Sequence, residues 1–413
     1  MSEPTRGRVL ALCLVAGCLA GCSHPSKTVN KSWDPKAAAA YLDVRETTWM
    51  GWPGSARDHG TFCVSCHTVV PYVLSRPTLR AALAERQPSD NERKILQNVT
   101  ERVRLWNQVG PYYSDEGYGN GKLAESRGTE AVLNALILAS SDAQIGKLSD
   151  ITRMAFSNMW ALQRTEGEGK GAWPWLQFGM EPWEAPDSQY YGAALAAVAT
   201  GIAPENYRAS PDIQEKLSLL HDYLNREYPA QSRMNRVVLL WASTKWPGLV
   251  DADRQNTIIR EVSKAQQADG GWALSSLAWP NRWSLHSFVR VRLRSDWSRQ
   301  SADSDGYATG LITFVLQEAG VSPQDETLKS GLSWLASSQS SEDGSWPSLS
   351  LTLRRNPSSN AGHFMRDAAT AYAVLALSDS GVAASRGSMA ENRSAYRSIP
   401  EVRPKPDTAN QRN

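Results

Sequence analysis

Apolar residues recur at spacings of three and four through most of this 413-residue chain, and that period leaves little room for anything but helices. Candidate helices cover about 35–48, 78–87, 91–107, 129–140, 149–163, 188–201, 213–227, 233–243, 253–267, 304–319, 326–339 and 366–378. The first opens on Asp34-Pro35, a capping residue followed by a proline in the first helical position. Nothing alternates between turn signals as strands would, so the expected fold class is all-α. The helices also pair off. Asp187-Ser188, Asp303-Ser304-Asp305 and Arg366-Asp367 each precede a face of small residues, which reads as an N-cap followed by a surface that a neighbouring helix can approach closely.

Near the N-terminus one string stands apart from this regularity. Cys63-Val64-Ser65-Cys66-His67 reads CxxCH, the attachment signature of a c-type haem. Two thiols three residues apart can each add to a haem vinyl group, and the adjacent histidine then faces the iron as proximal ligand. With five Cys and six His in the chain, chance would produce this string on the order of one time in a thousand. The other uses of such a pair fit less well. A redox disulfide belongs in a βαβ context that the helical pattern does not provide, and a zinc site needs a second Cys pair that is not there. Cys63 and Cys66 are therefore the expected thioether sites, His67 the expected iron ligand and haem c the expected cofactor.

The first residues agree with export, because Arg6 and Arg8 precede an apolar run, Val9 to Ala20, too short to span a bilayer. The run ends Leu19-Ala20-Gly21-Cys22, which resembles a bacterial lipoprotein lipobox; Cys22 would carry the lipid and tie the chain to a membrane as a periplasmic lipoprotein. Cys13 and Cys18 would leave with the signal, so every cysteine has a destination and none is left for a structural disulfide. With 44 basic and 42 acidic residues the net charge is +2, which recommends no nucleic-acid partner. Sixteen Trp against six Phe, several of them clustered, point to aromatic-lined loops or a pocket.

Gly331-Leu332-Ser333-Trp334-Leu335, then Gln339, then Gly344-Ser345-Trp346 resembles the QW repeat of squalene-hopene cyclases and prenyltransferases. Gln267 with Gly271-Trp272 is a shorter copy, and Gln163 with Gly171 and Trp173 a stretched one. The resemblance covers roughly residues 130 to 380 and implies an α/α toroid of helical hairpins, in which the Gln ends one helix and meets the Trp of the next loop. Those cyclases protonate their substrate with the middle Asp of a DxDD motif, and Asp303-Ser304-Asp305-Gly306 is its nearest echo, with Gly306 where the last Asp would stand. Asp305 is accordingly the weak candidate for a catalytic acid, against a plain capping role. Toroids also serve carbohydrate-active enzymes, for which Glu181, Glu184 and Asp187 are the carboxylates to try.

Small cytochromes c commonly take a Met some tens of residues after CxxCH, but here the next is Met154. Distal candidates are instead Met50 and His59, just upstream, or Met180, His286 and His363 in the loops after the repeat tryptophans, each weighed against an ordinary packing or surface role. Those loops also carry Trp173, Trp175, Trp183, Trp272, Trp279, Trp283, Trp297 and Trp346 among Arg282, Arg290, Arg292 and Arg294, which could bury a porphyrin or simply pack hairpin ends. The expected organisation is a signal peptide at 1–22, a tether and first helix at 23–48, a haem segment at 49–77, the toroid at 78–380 and a disordered polar tail at 381–413. The expected activity is haem binding and periplasmic electron transfer, with a redox protein or a small hydrophobic molecule such as a quinone or isoprenoid as partner. The alternatives are an isoprenoid-acting enzyme and a non-catalytic binding scaffold.

Overall fold

The computed structural model describes residues 32–277, 303–351 and 355–380. Within them the chain forms thirteen α-helices and no strand beyond the isolated bridges Ala56–Phe62 and Met180–Glu184. The helices are α1 Pro35–Gly51, α2 Val69–Ala82, α3 Asp90–Arg104, α4 Asp115–Tyr118, α5 Lys122–Ile145, α6 Asp150–Ala161 and α7 Ser188–Ile202. They continue as α8 Gln214–Glu227, α9 Arg233–Lys245, α10 Ala252–Lys264, α11 Gly306–Glu318, α12 Glu326–Ser338 and α13 Asn360–Asp379. The all-α class expected from the periodicity is the class observed. Among the described residues no helix is long and apolar enough to cross a membrane. The expected signal, Cys22, the expected tail and the segment containing His286, Trp279, Trp283, Trp297 and its arginines lie outside the described residues.

Three helix bounds depart from expectation, each for a local reason. α2 begins nine residues earlier than the expected 78, inside the segment expected to carry haem. Pro71 falls in the first turn, where a missing N–H costs nothing, and Pro77 is accepted within the helix. α5 reaches well beyond 129–140, bounded by Gly121 and Gly146, both in the left-handed region. α13 starts at Asn360 rather than 366 because the Ser359 hydroxyl accepts from the Gly362 N–H.

The helices divide by how much of their surface is buried. α7 and α11 are covered on nearly every side, as expected for SQYYGAALAAVATGI and GYATGLITFVLQE, which carry no apolar stripe but small and apolar residues all round. α10 buries Ile258 and Val262 on one face. Pairwise packing runs from α2 to α5, α5 to α7, α7 to α9, α9 to α11, α11 to α13 and α13 back to α2. Behind these lie α6 on α5, α8 on α7, α10 on α9, α12 on α11, and α1 against both α13 and α2.

Three loops tie the rear helices to one another by one recurring set of hydrogen bonds. Gln163 Nε2 donates to the carbonyls of Gly171 and of Lys216, near the start of α8, at 3.0 Å each. Gln266 Nε2 donates to Gly270 and to Thr327 in α12, and Gln339 Nε2 to Gly344 and to Asp34 ahead of α1. Two residues past each glycine comes a buried tryptophan whose indole N–H returns to the preceding helix: Trp173 to Met159, Trp272 to Val262 and Trp346 to Leu335. The middle copy corrects the expected pairing of Gln267 with Gly271, since Gln266 and Gly270 occupy the recurring positions; the Gln267 side chain instead accepts from the Ser304 hydroxyl. All three glycines have positive φ, and a Cβ on any of them would meet backbone of the next rear helix at 2.0 to 2.7 Å.

Candidate functional site

Cys63 to His67 occupy the connection that enters α2, and side chains from several directions hold it. Asn98 of α3 brackets Phe62, accepting from its N–H at 2.8 Å and donating to its carbonyl at 3.1 Å. The Trp49 indole donates to the Cys63 carbonyl at 2.8 Å, and the Cys63 N–H reaches Ser55. Arg102, fully buried, donates to the Thr61 hydroxyl and pairs with Glu130 of α5. Ser65, between the two cysteines, accepts from the N–H groups of Thr68 and Val69 and so satisfies the first turn of α2.

Both thiols are buried and free. Burial pushes the Cys63 thiol up to about 12 and raises Cys66 well above the ordinary thiol value, with the nearby Glu184 carboxylate adding to both shifts. They are neutral thiols rather than reactive thiolates, unlike the cysteines of a redox CxxC.

His67 sits in an aromatic enclosure. The Phe364 ring stacks on it at 3.7 Å, with Trp49 edge-on at 5.1 Å and Trp183 at 5.8 Å, while Trp52 touches Trp49 and Phe364. Desolvation among these rings pushes the imidazole pKa down, with Arg45 and Arg355 adding to the effect, although His67 keeps part of its surface exposed. Its Nδ1 lies 2.8 Å from Thr68 Oγ1, and that hydroxyl donates to Asp367 Oδ2 at 2.8 Å. Because the threonine proton is committed to the carboxylate, the threonine oxygen accepts from His67 Nδ1–H. Nε2 is left with its lone pair, the tautomer a metal ligand needs.

Asp367 is anchored in turn. Arg45 grips it with Nε and Nη2 at 2.9 and 3.2 Å, and the Tyr41 hydroxyl donates to it at 2.9 Å. Burial raises Asp367, but every contact made to it is a donor, which holds it as a carboxylate. This corrects its reading as a helix cap, since Asp367 lies two turns inside α13. Asp305 does cap: it accepts from the N–H groups of Tyr307, Ala308 and Leu274 and from the Ser348 hydroxyl, at the wall of a cavity of about 210 Å³. Its burial lifts it to about 6, against the pull of those four donors.

Among the distal candidates, Met50 and His59 line one cleft of about 760 Å³ beside Phe62, with His59 half-exposed in a left-handed turn. Met180 Sδ accepts from Arg355. His363 Nδ1 lies 3.5 Å from the Tyr41 hydroxyl, one residue before the Phe364 that covers His67. Trp173, Trp272 and Trp346 pack hairpin ends, whereas Trp183 reaches the His67 ring and donates to the Tyr307 hydroxyl. Glu184 is lifted to about 7 by burial; Asp187 Oδ2 accepts from the Asn235 amide.

No family model matches the chain, and no curated protein matches it.

The CxxCH segment offers the groups that a covalently held haem would take. Among the described residues no three His, Cys, Asp or Glu side chains converge as an ion's ligand set would. A haem asks this segment for two thiols and one neutral imidazole with a fixed tautomer, and all three are within five residues. Sequence reasoning missed Thr68, Asp367, Arg45, Tyr41 and Phe364. Asp367 and Phe364 stand about three hundred positions from His67 and leave no local pattern, and Thr68, Arg45 and Tyr41 acquire their roles only through Asp367.

Proposed function

We propose that this protein is an exported, lipid-anchored c-type haem protein that carries electrons in the periplasm. Cys63 and Cys66 would hold the haem, His67 would be its proximal ligand, and Cys22 would carry the anchor. The observation that carries the reading is the setting of His67: its Nδ1 is engaged by Thr68, its ring is packed against Trp49, Trp183 and Phe364, and two free thiols precede it in the chain. When bound, haem c supplies a one-electron iron couple. The chain's own contribution is to fix the imidazole through Thr68 and to pack Trp49, Trp183 and Phe364 against its ring.

The cyclic order of helix packing and the three Gln–Gly–Trp ties support an α/α toroid of the terpenoid-cyclase kind. In that arrangement α1 and α2 form a pair of the ring, and the haem segment is part of its wall. Asp305 spends its oxygens on three backbone N–H groups and Ser348, which supports a capping role over a proton donor to an isoprenoid. A reductive titration of the mature protein, made with c-type maturation, tests the function. We expect a reversible one-electron change in the visible spectrum. A coloured protein that does not cycle would leave a haem-stabilised scaffold, and a colourless one would return attention to the cavity beside Asp305.

A further inference from the structure

We infer that Asp367, acting through Thr68, is a positioning residue that sets the electron-donor strength of His67 and thereby lowers the reduction potential of the iron it would bind. The inference rests on the haem reading above and adds to it a residue about three hundred positions away.

The geometry is a single file of directed hydrogen bonds. Thr68 Oγ1–H points at Asp367 Oδ2 at 2.8 Å, and His67 Nδ1–H points at Thr68 Oγ1 at 2.8 Å. An anionic acceptor polarises the hydroxyl, and the polarised oxygen draws harder on the imidazole proton; hydrogen bonds in series strengthen one another in this sense. Both effects give the imidazole more imidazolate character, which favours ferric over ferrous iron. Asp367 and Thr68 are almost wholly buried, so water does not dilute the interaction.

The anchoring of Asp367 separates this arrangement from a chance contact. Arg45 and Tyr41, both from α1, hold its two oxygens, so α1, α2 and α13 must meet before the file is complete. Arg45 balances the buried charge without touching Thr68's oxygen, which leaves the dipole of the hydroxyl under the control of Asp367. His67 thus carries information about whether the haem segment is seated on α13.

The test uses haem-loaded full-length protein and compares midpoint potentials of the wild type with Thr68→Val, Thr68→Ser, Asp367→Asn and the Thr68→Val/Asp367→Asn double variant. Loss of an outer partner of a ligating histidine commonly changes metal affinity by tenfold or more. We expect Thr68→Val and Asp367→Asn each to raise the potential, by about tenfold in the ferric-to-ferrous preference, ~59 mV for one electron. Thr68→Ser should keep the wild-type value, and the double variant should shift no further than either single, because both act along one path. Should Asp367→Asn fail to fold, the contrast between Thr68→Ser and Thr68→Val decides the matter. A c-type spectrum with the potential unmoved in Thr68→Val, or additive shifts in the double variant, would overturn the inference and leave the haem reading intact. Absence of a c-type spectrum in the wild type would overturn both.

Discussion

Glu46 lies on the α1 face that also carries Arg45 and Trp49, and both of its carboxylate oxygens are buried with no hydrogen-bond partner. Burial lifts it to about 8, with Asp367 and Asp43 raising it and Arg45 lowering it. The folded chain therefore holds a proton on Glu46 that the unfolded chain, at about 4.5, has already released. Its contribution to stability is whole below pH 4.5 and drains away as pH rises through about 8. We expect Glu46→Gln to match the wild type in thermal midpoint near pH 5 and to exceed it at pH 9. A difference that stays constant with pH would contradict this. Glu184 and Asp305 shift in the same sense but are present in both proteins, so the comparison removes them. At this scale the sequence was a partial guide. Five contiguous residues announce Cys63, Cys66 and His67, whereas the ionisation of Glu46 and the partnership of Thr68 with Asp367 depend on which helices come to lie together.

Among the elements, the Gln–Gly–Trp loops are where a repeat in the sequence becomes a join in space. Most helices ran close to their expected bounds because a period of three and four needs no tertiary information, and the start of α2 escaped because residues 49–77 were read as one haem segment, whose interior Pro77 the helix nonetheless accommodates. The one-residue error at Gln267 has a similar origin: two adjacent glutamines and two adjacent glycines give equivalent patterns, and the carbonyls they reach decide between them. Gln339→Ala should remove three side-chain hydrogen bonds to backbone and cost about 1–3 kcal/mol, with faster proteolysis ahead of α1. Gly344→Ala should cost more, since φ is +78° and the new Cβ would stand 2.4 Å from the Ala37 carbonyl carbon. Equal stability of Gly344→Ala and wild type in urea would show that α1 can move away freely. Arg102→Ala leaves Glu130 buried without its closest partner and frees Thr61, so we expect about 3–5 kcal/mol of lost stability together with poorer haem incorporation. Normal incorporation in that variant would separate the haem segment from the α3–α5 anchor.

For the whole molecule, the first and last described helices are neighbours. α1 and α2 lie against α13, Gln339 binds Asp34 across 305 positions, and Asp367 gathers Tyr41, Arg45 and Thr68. The all-α class was legible because helices announce themselves locally, while this closure was not, because it is written in single polar residues far apart in sequence. It makes the surroundings of His67 depend on α1 and α13 as well as its own segment, and a truncation before α13 should lose both Phe364 and Asp367 from the site. The central claim is covalent haem at Cys63 and Cys66, and the measurement that meets it most directly is peptide mass analysis of the mature protein expressed with c-type maturation. We expect the peptide spanning Cys63 to His67 to carry the added mass of one haem, and the Cys63→Ser/Cys66→Ser variant to lose it. The unmodified peptide with two free thiols, from a protein made under conditions that load a control cytochrome c, would contradict the claim.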